Sequence, residues 1–176
     1  MPIKIYSHIR VNGRLGQISY RSTDQLATGK GLYVERRVTN RYAVQELCVA
    51  CDVPFSRECM NDLHVTVMYS TTNTSVPVQA ETDRVVAHQL KWEWWPGRND
   101  EGYWVLLIEC SDLNASNKRY VDAGCTPTFK DYTPHVTVCT PADVASPEKI
   151  KTVNSRLAML PVASIHLGPE LIHELE

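Results

Sequence analysis

The sequence predicts an α+β domain assembled from two similar halves. Three observations carry that prediction. The string His-Val-Thr-Val occurs twice, as LHVTV at Leu63–Val67 and as PHVTV at Pro134–Val138. A helical pattern precedes the first copy, helical patterns flank the second, and strand-like runs lie between them. Finally, 176 residues that are 43% hydrophobic suffice for one well-buried core, while each half alone is too small to fold with comfort. The halves are therefore expected to pack side by side in a single domain, residues 1–176, with the two HVTV strands near its middle.

The elements follow in chain order. GQISY is strand-like, and the polar RSTDQLATGKG after it reads as a loop leading to GLYVERRV. Asn40 is a cap by residue type. Beyond it Val44, Leu47, Cys48 and Cys51 return at the spacing of one helix face, and the helix must stop before Pro54. LHVTVMYS is a strand with Leu63, Val65 and Val67 on one face and His64, Thr66 and Met68 on the other. A polar connection leads to RVVAHQLKWEWW, one further strand. After the turn-like PGRNDEG, the near-continuous apolar run YWVLLIEC suits a central strand hairpinned to it. SDLNASNKRYVD, Ser111 to Asp122, is a helix with Gly124 placed to end it. YTPHVTVCT repeats the strand logic, with Val136 and Val138 opposite His135 and Thr137. SPEKIKTVNSRLAML has a Ser-Pro start and a core stripe of Ile150, Val153, Leu157 and Leu160, and ASIHLGPELIHEL closes the chain as one or two strands.

Charge narrows the function classes. A formal net charge of -2 and a pI near 6.3 do not suit a dedicated duplex-binding protein, so any phosphate the chain handles is expected to be small. The first 50 residues are locally basic: Lys4, Arg10, Arg14, Arg21, Lys30, Arg36, Arg37 and Arg41 stand against Asp24, Glu35 and Glu46. Such a lip steers a small anion, or is simply an ordinary solvated face. No apolar run approaches the ~20 residues of a membrane span, and MPIKIYSHIR lacks a secretory apolar core, which predicts a soluble cytoplasmic protein. Of the six cysteines, Cys48 and Cys51 sit on a helix's apolar face, and Cys59, Cys110, Cys125 and Cys139 supply no second close pair. Buried thiols, rather than zinc ligands, are expected.

On a strand, a His and a Thr two apart project from one face, so each motif offers an imidazole beside a hydroxyl. Two such strands across a cleft surround one point with four groups. Imidazole titrates near pH ~6.5, which lets one ring act as base and the other as acid. That pair is what in-line phosphodiester cleavage needs, each group contributing ~100-fold to 10,000-fold in rate. The Thr hydroxyls donate to the non-bridging oxygens. The arrangement needs no metal and no cofactor, and the sequence shows no clustered carboxylates of the magnesium-holding kind. One HVTV alone is most often an ordinary β segment; the second copy is what shifts the balance. His8, His88, His166 and His173 lie in no repeated setting and receive no catalytic role.

The paired HVTV motifs resemble the HxT/HxT signature of the two-histidine (2H) phosphoesterase superfamily. That resemblance implies a bilobal, pseudo-symmetric α+β fold, with two antiparallel sheets lining a central cleft and helices outside. Within the superfamily, GLYV before a helix, LHVTVMYS, the tryptophan-rich hairpin, PHVTV and the late LGPE look like the bacteriophage anti-CBASS phosphodiesterases, which degrade the cyclic di- and trinucleotides bacteria use as antiviral alarm signals. Carried over, the resemblance makes His64 and His135 the catalytic pair and Thr66 and Thr137 the phosphate-holding hydroxyls. It implies metal-free scission of a 3'-5' linkage by the adjacent ribose 2'-hydroxyl in the cytoplasm of an infected host. Which histidine is the base stays open.

Tyr33 in GLYV, Trp94 in KWEWWPG, chosen over its neighbour Trp95, and Glu170 in LGPE are the substrate-binding candidates, the aromatics by stacking, worth ~1 to 3 kcal/mol per base, and Glu170 as an acceptor for a base edge. Trp92, Trp94, Trp95 and Trp104 also supply core packing, with alternation putting Trp92 and Trp94 on one side and Trp95 on the other. For Lys30 and Arg36 ordinary surface roles are expected over charge attraction of the substrate. Two rivals stand beside the cyclic-nucleotide enzyme. One is a 2',3'-cyclic phosphodiesterase or 2'-5' RNA ligase-like enzyme acting on RNA ends, which the negative total charge disfavours. The other is a cyclic-nucleotide sponge, which gains more from arginines forked onto phosphate than from paired histidines. No membrane, long nucleic acid or obligate protein partner is implied.

Overall fold

The computed structural model describes residues 6–11, 14–20, 31–71, 78–97, 101–161 and 163–175. Among these the chain runs β1 (Tyr6–Val11), β2 (Arg14–Tyr20), β3 (Gly31–Val38), α1 (Arg41–Cys51), α2 (Arg57–Asn61), β4 (His64–Ser70), β5 (Val85–Ala87), β6 (Gln89–Pro96), β7 (Gly102–Glu109), α3 (Ser111–Asp122), β8 (His135–Ala142), α4 (Pro147–Met159) and β9 (Ile165–Leu175). Lys30 and the predicted loop before it lie outside the described residues, as do 72–77 and 98–100 of the two polar connections.

The strands form two antiparallel sheets, so the mixed α+β class is as expected. One has the order β1-β2-β9-β3-β4, with β5 also pairing β9; the other is β6-β7-β8. β9 is the long spine of the first sheet, with β3 along one side and β2 and β5 at opposite ends of the other. The HVTV strands β4 and β8 are the end strands of their sheets and pack against each other. Leu63, Val65 and Val67, with Val136 and Val138, are all within the core, Val65, Val67, Val136 and Val138 at 0% exposure. Each such side chain contributes about 1.5–3 kcal/mol on burial. These valines anchor the strands that carry the histidines.

Helix α1 buries Val44, Leu47, Cys48 and Cys51, the predicted face, and turns out of the helix at Asp52, whose φ of 58° is left-handed. It packs beside α4, which lies on β6. There Asn154 clamps an open sheet edge: the Trp92 N–H donates to Asn154 Oδ1 at 2.8 Å and Asn154 Nδ2 donates to the Trp92 carbonyl at 2.8 Å. An amide side chain thus replaces the missing neighbour strand. Four cysteines are buried, Cys59 and Cys110 are half-buried, and none of the six is in a disulfide.

Several expectations are corrected. RVVAHQLKWEWW is not one strand: Val85–Ala87 joins the first sheet and Gln89–Pro96 the second, because the chain changes sheets at His88. α2 is a single short turn capped by the Ser56 hydroxyl, too short to leave a periodic signature. Asn40 does not cap α1 with its side chain. Its amide instead spans to the last strand, donating to the Ser164 carbonyl and accepting from the His166 N–H.

Candidate functional site

Both HVTV strands carry the same irregularity. In β4, Val34 pairs with Met68 but Glu35 pairs with Thr66, leaving Val67 as an extra residue; in β8, Trp104 pairs with Cys139 but Val105 pairs with Thr137, leaving Val138 extra. A bulge of this kind shifts the alternation by one residue. Val67 and Met68 are therefore both buried, as are Val138 and Cys139. Met68, expected beside Thr66, is turned into the core, and Tyr69 takes its place on the histidine face. Each bulged valine's carbonyl is satisfied from outside the ladder: Val67 accepts from Asn117 Nδ2 at 2.8 Å, and Val138 accepts from the Ser56 N–H at 2.9 Å.

The two histidines are held alike. His64 Nδ1 lies 2.7 Å from the Asp62 carbonyl and His135 Nδ1 lies 2.8 Å from the Thr133 carbonyl, in each case two residues back. A carbonyl can only accept, so Nδ1 carries the hydrogen in both rings, and Nε2 of each neutral ring is an acceptor that is not paired among the described residues. Both residues are half-buried. Burial, and then the positive charge of His64, push the His135 pKa below the ordinary imidazole value, against the hydrogen bond to Thr133. The rings, 71 residues apart in sequence, thus lie within electrostatic reach of each other.

Their surroundings differ. Behind His64 stands the Glu35 carboxylate, fully buried, with Oε2 at 3.9 Å from His64 Nδ1 and Oε1 at 2.6 Å from Arg37 Nε and 3.4 Å from His173 Nε2. Arg37 also pairs with Asp62, whose Oδ2 is 3.8 Å from His64 Nδ1. Burial alone would raise the Glu35 carboxyl, but His173, His64 and Arg37 together hold it below the ordinary value. His135 instead packs against an indole: the Trp95 ring centroid is 4.4 Å away, and Trp95 Nε1 donates to Glu93 at 2.9 Å.

The four motif side chains, His64, Thr66, His135 and Thr137, are thus on β4 and β8, all half-buried and pointing away from the core valines. Tyr33 is with them as a support. Its hydroxyl meets Thr66 Oγ1 at 3.2 Å, and its ring stands edge-on to His64 and Tyr69, each at 6.2 Å. At 6% exposure it offers little face for a base to stack on.

Trp94 and Glu170 are not brought to the histidines. Trp94 pairs with Trp104 on the core side of β6-β7 and lies over Gly102, where a Cβ would fall 2.3 Å from its ring. Its neighbour Trp95 is the indole that touches the site. Glu170 pairs with Arg36 in the ladder, on the face of β3 opposite Tyr33 and Glu35. Its Oε2 accepts from Arg119 Nη2 at 2.6 Å, Tyr120 Oη at 2.8 Å and the Glu81 N–H at 2.9 Å. Arg36, expected at the surface, is fully buried and donates to Glu81, Gly168 and Asp83 in the same cluster. This network ties α3 and residues 79–83 to β3 and β9. Among the described residues no group of three or more His, Cys, Asp or Glu side chains is arranged to hold a metal ion, and no helix is long and apolar enough to cross a membrane.

The sequence reading missed Glu35 and Asp62 as neighbours of His64, and Tyr69 as a neighbour of Tyr33. A signal existed for Glu35, which is two residues beyond Tyr33 on one strand and so shares its face. Tyr69 had none, because the bulge that turns it is invisible to strict alternation. Among known proteins, a family model described as "Anti-CBASS protein Acb1" matches residues 30–176. No curated protein matches the chain.

Proposed function

The chain belongs to the anti-CBASS protein Acb1 family, whose model spans residues 30–176, and from that premise we propose that it is a two-histidine phosphoesterase cleaving cyclic di- and trinucleotide signals. Membership ties the protein to phage evasion of CBASS. The step from evasion to cleavage rests on one observation: two half-exposed imidazoles on facing strands, both with Nδ1 committed to a carbonyl and Nε2 not paired among the described residues, each with a threonine two residues on.

In this reading one Nε2 accepts the proton of a ribose 2'-hydroxyl as O2' bonds to the adjacent phosphorus. The P–O5' bond breaks, and the second imidazole gives its proton to O5'. The ring is opened, leaving a 2',3'-cyclic phosphate and a 5'-hydroxyl. Thr66, oriented by Tyr33, and Thr137 donate to the non-bridging oxygens, where charge accumulates. No step calls for a metal ion. The matched bulges of β4 and β8 support treating the two sheets as two lobes with a shared cleft, and the site of action is the infected cell's cytoplasm.

The test is incubation of purified protein with a panel of cyclic di- and trinucleotides in excess EDTA, with products followed by chromatography. Linear products bearing a 2',3'-cyclic phosphate are expected. Tight binding without turnover would replace this reading with the sponge, and activity confined to RNA ends would replace it with the RNA-processing enzyme.

A further inference from the structure

The two histidines have the same tautomer and the same strand setting, yet general acid–base chemistry needs them in opposite protonation states at one pH. The asymmetry must come from neighbours. Facing His64 are Glu35 and Arg37 of β3, Asp62 just before β4, His173 of β9 behind Glu35, the neutral Tyr33 phenol and, across the cleft, His135. Two carboxylates thus stand within 4 Å of the His64 ring. They are not equivalent: the Glu35 side chain is 0% exposed and Asp62 is 49% exposed, so water screens Asp62 far more. Facing His135 are the Trp95 ring, the Thr133 carbonyl and His64, and among the described residues no carboxylate pairs with it. Glu93, on the same sheet face, is engaged by Lys91 and by Trp95 Nε1.

We propose that Glu35 is a positioning residue that makes the pair unequal: its sealed carboxylate favours the proton on His64, assigning His64 the acid's part and His135 the base's. The assignment rests on the phosphodiesterase reading above. Arg37 fixes the geometry, because one guanidinium spans Glu35 and Asp62 and holds both acids against the ring whose Nδ1 they face. The attraction is mutual, since His64 is among the groups that keep Glu35 ionised. On the other side, burial and the field of His64 favour a neutral His135, against the Thr133 hydrogen bond, leaving it ready to accept from the 2'-hydroxyl.

The test is imidazole 15N NMR of the free protein from about pH 5 to 8, with His64→Gln and His135→Gln used to assign the signals. His135 is expected to lose its proton at lower pH than His64. Glu35→Gln, which keeps shape and removes charge, is expected to close the gap. Glu35→Asp keeps the gap open. With a cleaved substrate, the basic limb of the kcat/KM profile moves to lower pH in Glu35→Gln and stays in Glu35→Asp. Reversed or equal titration order in the wild type, or an unchanged gap in Glu35→Gln, overturns the proposal. Should Glu35→Gln not fold, the wild-type order and Glu35→Asp still decide. If no cyclic nucleotide is cut, the functional reading falls while the titration order is still measured.

Discussion

Removing either imidazole should abolish turnover long before it threatens the fold. In His135→Ala the protein loses one hydrogen bond, Nδ1 to the Thr133 carbonyl, and the ring contact with Trp95. The first is worth about 1 kcal/mol, and the second, between half-buried rings, a further ~0.5–1.5 kcal/mol. A loss of about 2 kcal/mol lowers Tm by roughly 4–8 °C for a chain of this size, well within the usual 5–15 kcal/mol of stability. The barrier, by contrast, loses a proton-transfer group worth ~100-fold to 10,000-fold in rate, or about 3–5.5 kcal/mol. His64→Ala follows the same arithmetic, with the Asp62 carbonyl bond lost instead. Because acid and base act in one step, the double variant should be little slower than the worse single variant. Single-turnover cleavage, calorimetric Tm and titration of ligand binding separate the effects. Rates that track Tm across the three variants, or a folded single variant retaining most of the wild-type rate, would refute the reasoning.

Three further outcomes are expected. Tyr33→Phe removes only the hydroxyl that meets Thr66 Oγ1; it should slow turnover several-fold, on the order of one lost hydrogen bond, with Tm and KM little changed in steady-state and thermal assays. Glu170→Gln should act on stability: it unbalances the buried cluster with Arg36, Arg119 and Tyr120 and is expected to cost about 3 kcal/mol in urea unfolding, while the rate per folded molecule stays near wild type. A reduced ligand affinity at normal stability would instead restore Glu170 to the binding site. Stability should also fall in acid in two steps. His135 has a folded pKa below its unfolded value of ~6.5, so the unfolded chain binds protons first and Tm drops as pH falls from there to the folded value. Glu35, whose folded pKa is likewise lowered, contributes stability above the ordinary 4.5 that is lost as pH falls through its folded value. Calorimetry across this range, with His135→Gln flattening the first step, checks the sign.

Much of the architecture was legible because it is local. The 3.6-residue recurrence in α1, the Ser-Pro start of α4 and the alternation in LHVTV and PHVTV each record which side of one element meets the core, and those spans are close to what the structure shows. The repeated motif likewise announced that two imidazoles and two hydroxyls would leave the core together. Other features depended on pairing between distant segments. The bulges at Val67 and Val138 exist only against β3 and β7, and they decide that Met68 is buried and Tyr69 is not. Trp94 and Trp95 are equivalent candidates in sequence until the hairpin's register turns one onto Gly102 and the other onto His135. Glu35 and Glu170 are both acids on strands, and the register of β9 against β3, which sets Glu170 opposite Arg36, sends them to opposite faces. Side-chain type and period are properties of a single segment, whereas register, sheet order and the field around a buried charge are properties of contacts between segments. Only the assembled tertiary structure could decide the second set.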